Sequence, residues 1–292
     1  MNELSPNNRS FKAVYSKFKI TLLIPFLLLT GAVGFAQEQP FTNPIGMEFI
    51  LIRPGSIIIG RYQPTVGKYQ EPKASPRTPV SKVLPPAIYR LAEKMAKESA
   101  MAGFTVNINE PFYIGKFEVT QEQWKKVMGH NPSWFQDGKV NGDAKHHPVE
   151  TITWKEALDF IKKLNKLDKE HAYRLPTEFE WEYAATAGAV DDISWSKAAS
   201  MGVISDITTR AVGSKEPNAF GLYDMIGNVW EWVQDVYNEK IFADPVPPNK
   251  GKEHVLKGAS FTGDAKNATY KTHAAGPGNG FDVGMRVVME VR

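Results

Sequence analysis

Apolar and polar positions change their spacing several times along this chain. In "MEFILIRPGSIIIG", Met47 to Gly60, two apolar runs are broken by Pro54-Gly55, which predicts two strands joined by a turn. Arg61 to Gly103 is unlike its surroundings: rich in Lys and Pro up to Pro86, then helical in composition around "YRLAEKMAKESAMAG". It reads as a surface insertion with one amphipathic helix, because a separate domain of that size lacks the core to stand alone. Three helix starts follow with capping-box spacing, Thr120/Gln123, Thr153/Glu156 and Thr177/Glu180. The first puts Trp124, Val127 and Met128 on one face. The second spaces Ala157, Leu158, Ile161 and Leu164 at helical intervals, and the third turns Trp181, Ala184 and Ala185 inward, with Gly188 as its stop. Short extended pieces lead into the helices: "FYIGKFEV", "PVETI" and "YRL". From Ala189 onward regular spacing thins out, apart from short strands such as "GMRVVMEV" at the end, so much of the backbone there is irregular.

The first residues have a different pattern. Arg9, Lys12, Lys17 and Lys19 precede the apolar run Ile20 to Leu29, and Gly34-Phe35-Ala36 offers small residues for cleavage. This predicts a signal peptide over 1–36, removed after Ala36, and a domain over 37–292. The run is shorter than the roughly 20 residues of a membrane span, so no span is expected after cleavage. The leader carries the whole formal charge of +3, leaving the remainder near neutral. No Lys/Arg-rich tract follows, which argues against nucleic acid as a partner. The chain contains no cysteine. An exported protein without disulfides must rest on core burial, perform no thiol chemistry, and lack the residue that lipoprotein acylation needs. The expected location is periplasmic or secreted.

One stretch invites chemistry: "GLYDMIGNVWEWVQD", Gly221 to Asp235. Gly227 and Asn228 tolerate unusual backbone angles. In an extended continuation Val229 and Glu231 face one way, and Asn228, Trp230 and Trp232 the other. Turn carbonyls and the Glu231 carboxylate would then suit a hard cation such as Ca²⁺. Equally, Glu231 would pair with an arginine beneath the tryptophans.

Several blocks in order, "MEFILIRPGSIIIG", "FYIGKFEVTQEQWKKVMG", "HPVETITWKEALDF", "YRLPTEFEWEYAATAG" and "PNAFGLYDMIGNVWEWVQD", resemble the formylglycine-generating enzyme, or sulfatase-modifying-factor, family. "LKGASF" and "GMRVV" match its close more loosely. The resemblance implies an α+β single domain, a variant of the C-type-lectin-like fold rich in irregular structure. It implies a structural Ca²⁺ at Ile226, Gly227, Val229 and Glu231. A second family calcium site would place its Asp where this chain has Gly213, so that site is not expected.

The family's copper is held by two cysteines, which soft Cu(I) favours. Their positions fall on Gly263 and Ala268, and the downstream arginine's place on Gly276. Copper is therefore not expected. Iron remains open through His254, Asp264 and His273, although their spacing fits no compact ligand motif. His146 and His147 are adjacent and read as ordinary histidines. Glu178, Glu180 and Glu182 read as favourable charge at a helix N-terminus, pairing with Arg174 or Arg286, rather than as acid/base catalysts. Two functions follow. The favoured one is a non-catalytic envelope component binding a peptide, protein or glycan. The other is a non-haem iron or copper oxidoreductase with non-thiol ligands.

Overall fold

A computed structural model describes residues 40–61, 101–189, 193–241, 250–264, 268–276 and 278–291, with isolated positions between 90 and 97 and at 248. Residues 37–292 form one compact unit. The expected signal peptide over 1–36 and most of the 61–103 insertion lie outside the described residues.

The two strands expected before the insertion are β2 (Glu48–Ile52) and β3 (Gly55–Ile59), preceded by β1 (Phe41–Thr42). After the insertion the chain returns as β4 (Phe104–Ile108), pairing with β3 from Gly55↔Ile108 to Ile59↔Phe104. The insertion is thus the connection of a two-stranded ribbon. Gly103 closes its neck at φ +74°, where a Cβ would stand 2.5 Å from the Ile59 carbonyl oxygen. Within the insertion, Arg90, Leu91, Lys94, Met95 and Lys97 are helical and exposed.

β5 (Phe112–Gly115), β6 (Tyr173–Arg174) and the C-terminal β11 (Val288–Glu290) complete an antiparallel sheet in the order β1-β2-β5-β11-β6. The last strand lies between β5 and β6, so the chain end is built into the first sheet. A second sheet holds β7 (Trp230–Val236), β8 (His254–Lys257), β9 (Ala274–Gly276) and β10 (Val283–Met285), ordered β10-β7-β8-β9. β10 runs parallel to β7 and the other pairs are antiparallel.

All three capping boxes form. They start α1 (Gln121–Met128), α2 (Trp154–Leu167) and α3 (Glu178–Thr186). α3 ends at Thr186, with Ala187 left-handed at φ 48° and the expected stop, Gly188, following at φ 81°. A further helix, α4 (Trp195–Met201), arises where no regular pattern was visible. "PVETI" departs from its reading: it contributes only the bridge Thr120↔Pro148, because Thr151 turns left-handed at φ 63°. The core is strongly aromatic. Trp124, Trp181 and Trp232 are fully buried, and Trp124 stacks on Phe160 at 5.1 Å. Burying each large apolar side chain contributes about 1.5–3 kcal/mol, which lets the domain do without disulfides. Among the described residues no helix is long and apolar enough to cross a membrane.

Candidate functional site

The Gly227-Asn228 turn leads into β7 and is held on every side. Gly227 donates its N–H to the Gly258 carbonyl, Asn228 donates to the Val203 carbonyl, and Phe261 donates back to the Asn228 carbonyl. At Gly227, φ is +77° and a Cβ would lie 2.2 Å from the Val203 oxygen, so only glycine fits. The Asn228 side chain donates to Glu118 at 2.6 Å and accepts from the Arg210 N–H at 3.0 Å.

Beyond the turn, Glu231 is fully buried. Arg286 grips it through Nε at 3.1 Å and Nη2 at 2.8 Å, while the Trp181 indole donates at 2.6 Å. Arg286 also donates to the carbonyls of Gly115 and Tyr223. Glu231 is therefore the arginine's partner beneath the tryptophans, one of the two arrangements the sequence allowed. The Ile226 carbonyl packs against Gly202, where a Cβ would meet it at 2.6 Å.

Two further carboxylates complete this cluster, and sequence reading missed both. Glu118 and Asp224 are buried beside Glu231 and Arg286. Each is a single acid inside an apolar run, "FEV" and "LYDMI", and that isolation was the available signal. Three carboxylates thus face one guanidinium. Burial, then the neighbouring Asp224 and Glu231 charges, push Glu118 well above the ordinary glutamate range. Burial likewise raises Asp224 to about 6. Asp224 Oδ2 accepts from the Gly213 N–H at 2.7 Å, whereas Oδ1 is buried with no hydrogen-bond partner. Both oxygens of Glu118 accept hydrogen bonds, from the Asn228 amide and the Val229 N–H, so Asp224 Oδ1 is the oxygen of this cluster without a partner among the described residues.

The positions where the resemblance would place thiols, Gly263 and Ala268, lie past β8. Gly263 accepts from the Ser205 N–H and donates to the Ser260 carbonyl. Ala268 is 2% exposed and packed into the apolar core. Gly276, in the arginine's place, sits where a Cβ would be 2.7 Å from both Leu256 and Trp232. Ser260 Oγ lies 2.7 Å from Asp282 and 2.9 Å from the Thr262 hydroxyl. Beside these hydroxyls Phe281 is 51% exposed and touches the rings of Phe135 and Phe261. Trp134 is 60% exposed, with the Lys139 ammonium 3.4 Å above its ring.

Glu180 takes Arg174 in a two-point pair at 2.7 Å, as expected, but Arg286 is committed to Glu231. Glu178 and Glu182 instead face the buried Lys257 at 3.6 and 3.0 Å, a partner not foreseen. His273 pairs with Glu178 at 2.6 Å, whereas His254 stacks on Trp154. His147 is buried against Thr209 and the Asn141 carbonyl, and that burial lowers its pKa. Among the described residues no three His, Asp or Glu side chains converge to hold a metal.

Residues 47–291 match the sulfatase-modifying factor enzyme 1-like domain, and the chain belongs to that family. It is 30% identical over 235 residues to the chaperone protein LppX of Paenibacillus barcinonensis, covering 61% of this chain and 79% of that protein. To the formylglycine-generating enzyme of Streptomyces coelicolor it is 32% identical over 165 residues, covering 47% of this chain and 50% of the enzyme. The match thus spans about half of that enzyme. The fold is shared with PvdO from Pseudomonas aeruginosa, at TM-score 0.65 and 20% identity, covering 87% of this chain and 98% of PvdO. Treponema denticola variable protein 1 follows at TM-score 0.61 and 24% identity, covering 87% of this chain and 99% of that one.

Proposed function

We propose that this family member binds rather than oxidises: an exported, non-catalytic component of the cell envelope that holds a peptide, protein or glycan partner. The observation that carries this reading is at Gly263 and Ala268. Neither offers a thiolate for Cu(I), and Ala268 is turned into the core. The surface beside them suits binding. The exposed Phe281 ring adjoins the Ser260, Thr262 and Asp282 side chains, giving apolar area together with hydrogen-bonding groups. A relative that carries the name chaperone accords with such a role.

The test is incubation of copper-loaded protein and oxygen with a cysteine-containing sulfatase-type peptide, read by mass spectrometry. The expected result is an unchanged cysteine; catalytic conversion to the aldehyde would sink the proposal. The alternative, a non-haem iron or copper oxidoreductase, is separated by elemental analysis of the purified protein. Stoichiometric iron or copper would favour it. Calcium belongs to the proposal as a structural ion at the Gly227 turn. The unmet Asp224 oxygen and the carboxylate excess support it, with Asp224 and Glu118 as the acidic ligands in place of the arginine-bound Glu231.

A further inference from the structure

A cleft of about 560 Å³ opens between α2 and the β7–β8 pair. It shares no residue with the Ser260–Phe281 surface. One wall is a single helical face, Trp154, Leu158 and Ile161. Trp154 is locked there, because its indole N–H donates to the Val233 carbonyl at 2.9 Å. The His254 ring lies flat on it, centroids 3.5 Å apart and 9° from parallel, so the wall is rigid and aromatic. Such a wall loses little entropy when a ligand packs on it.

Two solvent-exposed polar side chains, Gln234 and Lys250, rim this cleft. The Lys250 ammonium is exposed and pairs with no carboxylate among the described residues. The Gln234 side-chain amide makes no hydrogen bond among them either. His254 Nδ1 is buried without a hydrogen-bond partner, and burial lowers the pKa of its ring. Arg174 also borders the cleft, but Glu180 and Glu290 neutralise it. The net charge offered to a ligand therefore comes from Lys250. An apolar wall with a few polar groups at its rim is the usual character of a ligand site.

We infer that this cleft binds an apolar carboxylate, its hydrocarbon part on the Trp154–Ile161 face and its carboxylate on Lys250 and the Gln234 amide. Two sources share that chemistry, a free organic acid and the C-terminal residue of a polypeptide.

The experiment is titration of the full chain with N-acetyl-leucine, its amide, and a short peptide ending in leucine as acid or amide. Calorimetry and the Trp154 indole N–H resonance report binding. The acids are expected to bind at least about tenfold more tightly than their amides, roughly 1.4 kcal/mol. Lys250→Glu should abolish that preference, Lys250→Arg should keep it, and neither should shift the thermal melt, since the side chain is exposed. Peptide acid binding more tightly than N-acetyl-leucine identifies a polypeptide end; equal binding identifies the free acid. No binding by either acid, equal binding of acid and amide, or indifference to Lys250→Glu would each overturn the inference.

Discussion

Glu231, Arg286, Glu118 and Asp224 set the chemistry of this fold at the scale of single residues. A buried ion pair is costly to desolvate and worthwhile only when its remaining hydrogen bonds are met. Here Trp181 and the carbonyls of Gly115 and Tyr223 meet them. Glu118 and Asp224 feel that guanidinium's charge without bonding to it, and burial outweighs its pull and raises both. Asp224 rises from 3.8 to about 6, mainly through burial. The folded chain then keeps a proton that the unfolded chain releases first, so stability falls as pH rises through that window. One group with this shift contributes about 3 kcal/mol to the fall. Urea melts in chelator, from mildly acidic to neutral pH, should show that decline, and Asp224→Asn should flatten it. An unchanged slope in the variant would remove Asp224 as its source. That Glu231 takes an arginine was open to sequence reading, but not which one. Partners 55 residues apart in the chain are joined only by folding.

At the scale of elements, legibility follows how local the cause is. Each capping box lies within four residues, so all three helix starts could be read directly. Thr177→Ala should cost about 1 kcal/mol, as cap removals do. A denaturant midpoint equal to wild type would contradict it. α4 was illegible because its cap, Ser194, has Lys197 three residues on and so shows only half of the signature. β4 alternates half-buried and exposed positions, yet its partner β3 lies across the whole insertion, so pairing was invisible in a local window. "PVETI" failed for the opposite reason. Its composition favours a strand, but Thr151 is held left-handed, its hydroxyl donating at 2.5 Å to the buried Glu150. A β-branched residue in that region is a costly exception that composition does not announce.

For the whole molecule the question is what stabilises a cysteine-free unit with so much irregular backbone. The buried aliphatic and aromatic core supplies burial, and the Gly227 turn is the joint where a cation would add to it. Arg210, Val203, Gly258 and Phe261 all bond to that turn, so ordering it orders segments far apart in sequence. An ion that binds only the folded state stabilises it by RT ln(1 + [L]/Kd), about 2.7 kcal/mol at a hundredfold excess over Kd. For a domain of this size that is a shift of roughly 5–10 °C in Tm. Melting with calcium and with chelator should therefore differ by about that much in the wild type. Asp224→Asn should lose most of the difference, since it removes the acidic oxygen that lacks a partner. Glu231→Gln should behave otherwise: lower in Tm under both conditions, because Arg286 loses its charge partner, yet still responsive to calcium. Equal wild-type melts with and without chelator would remove the ion altogether. A response abolished only by Glu231→Gln would return the ligand role to Glu231, and would require Arg286 to release it when calcium binds.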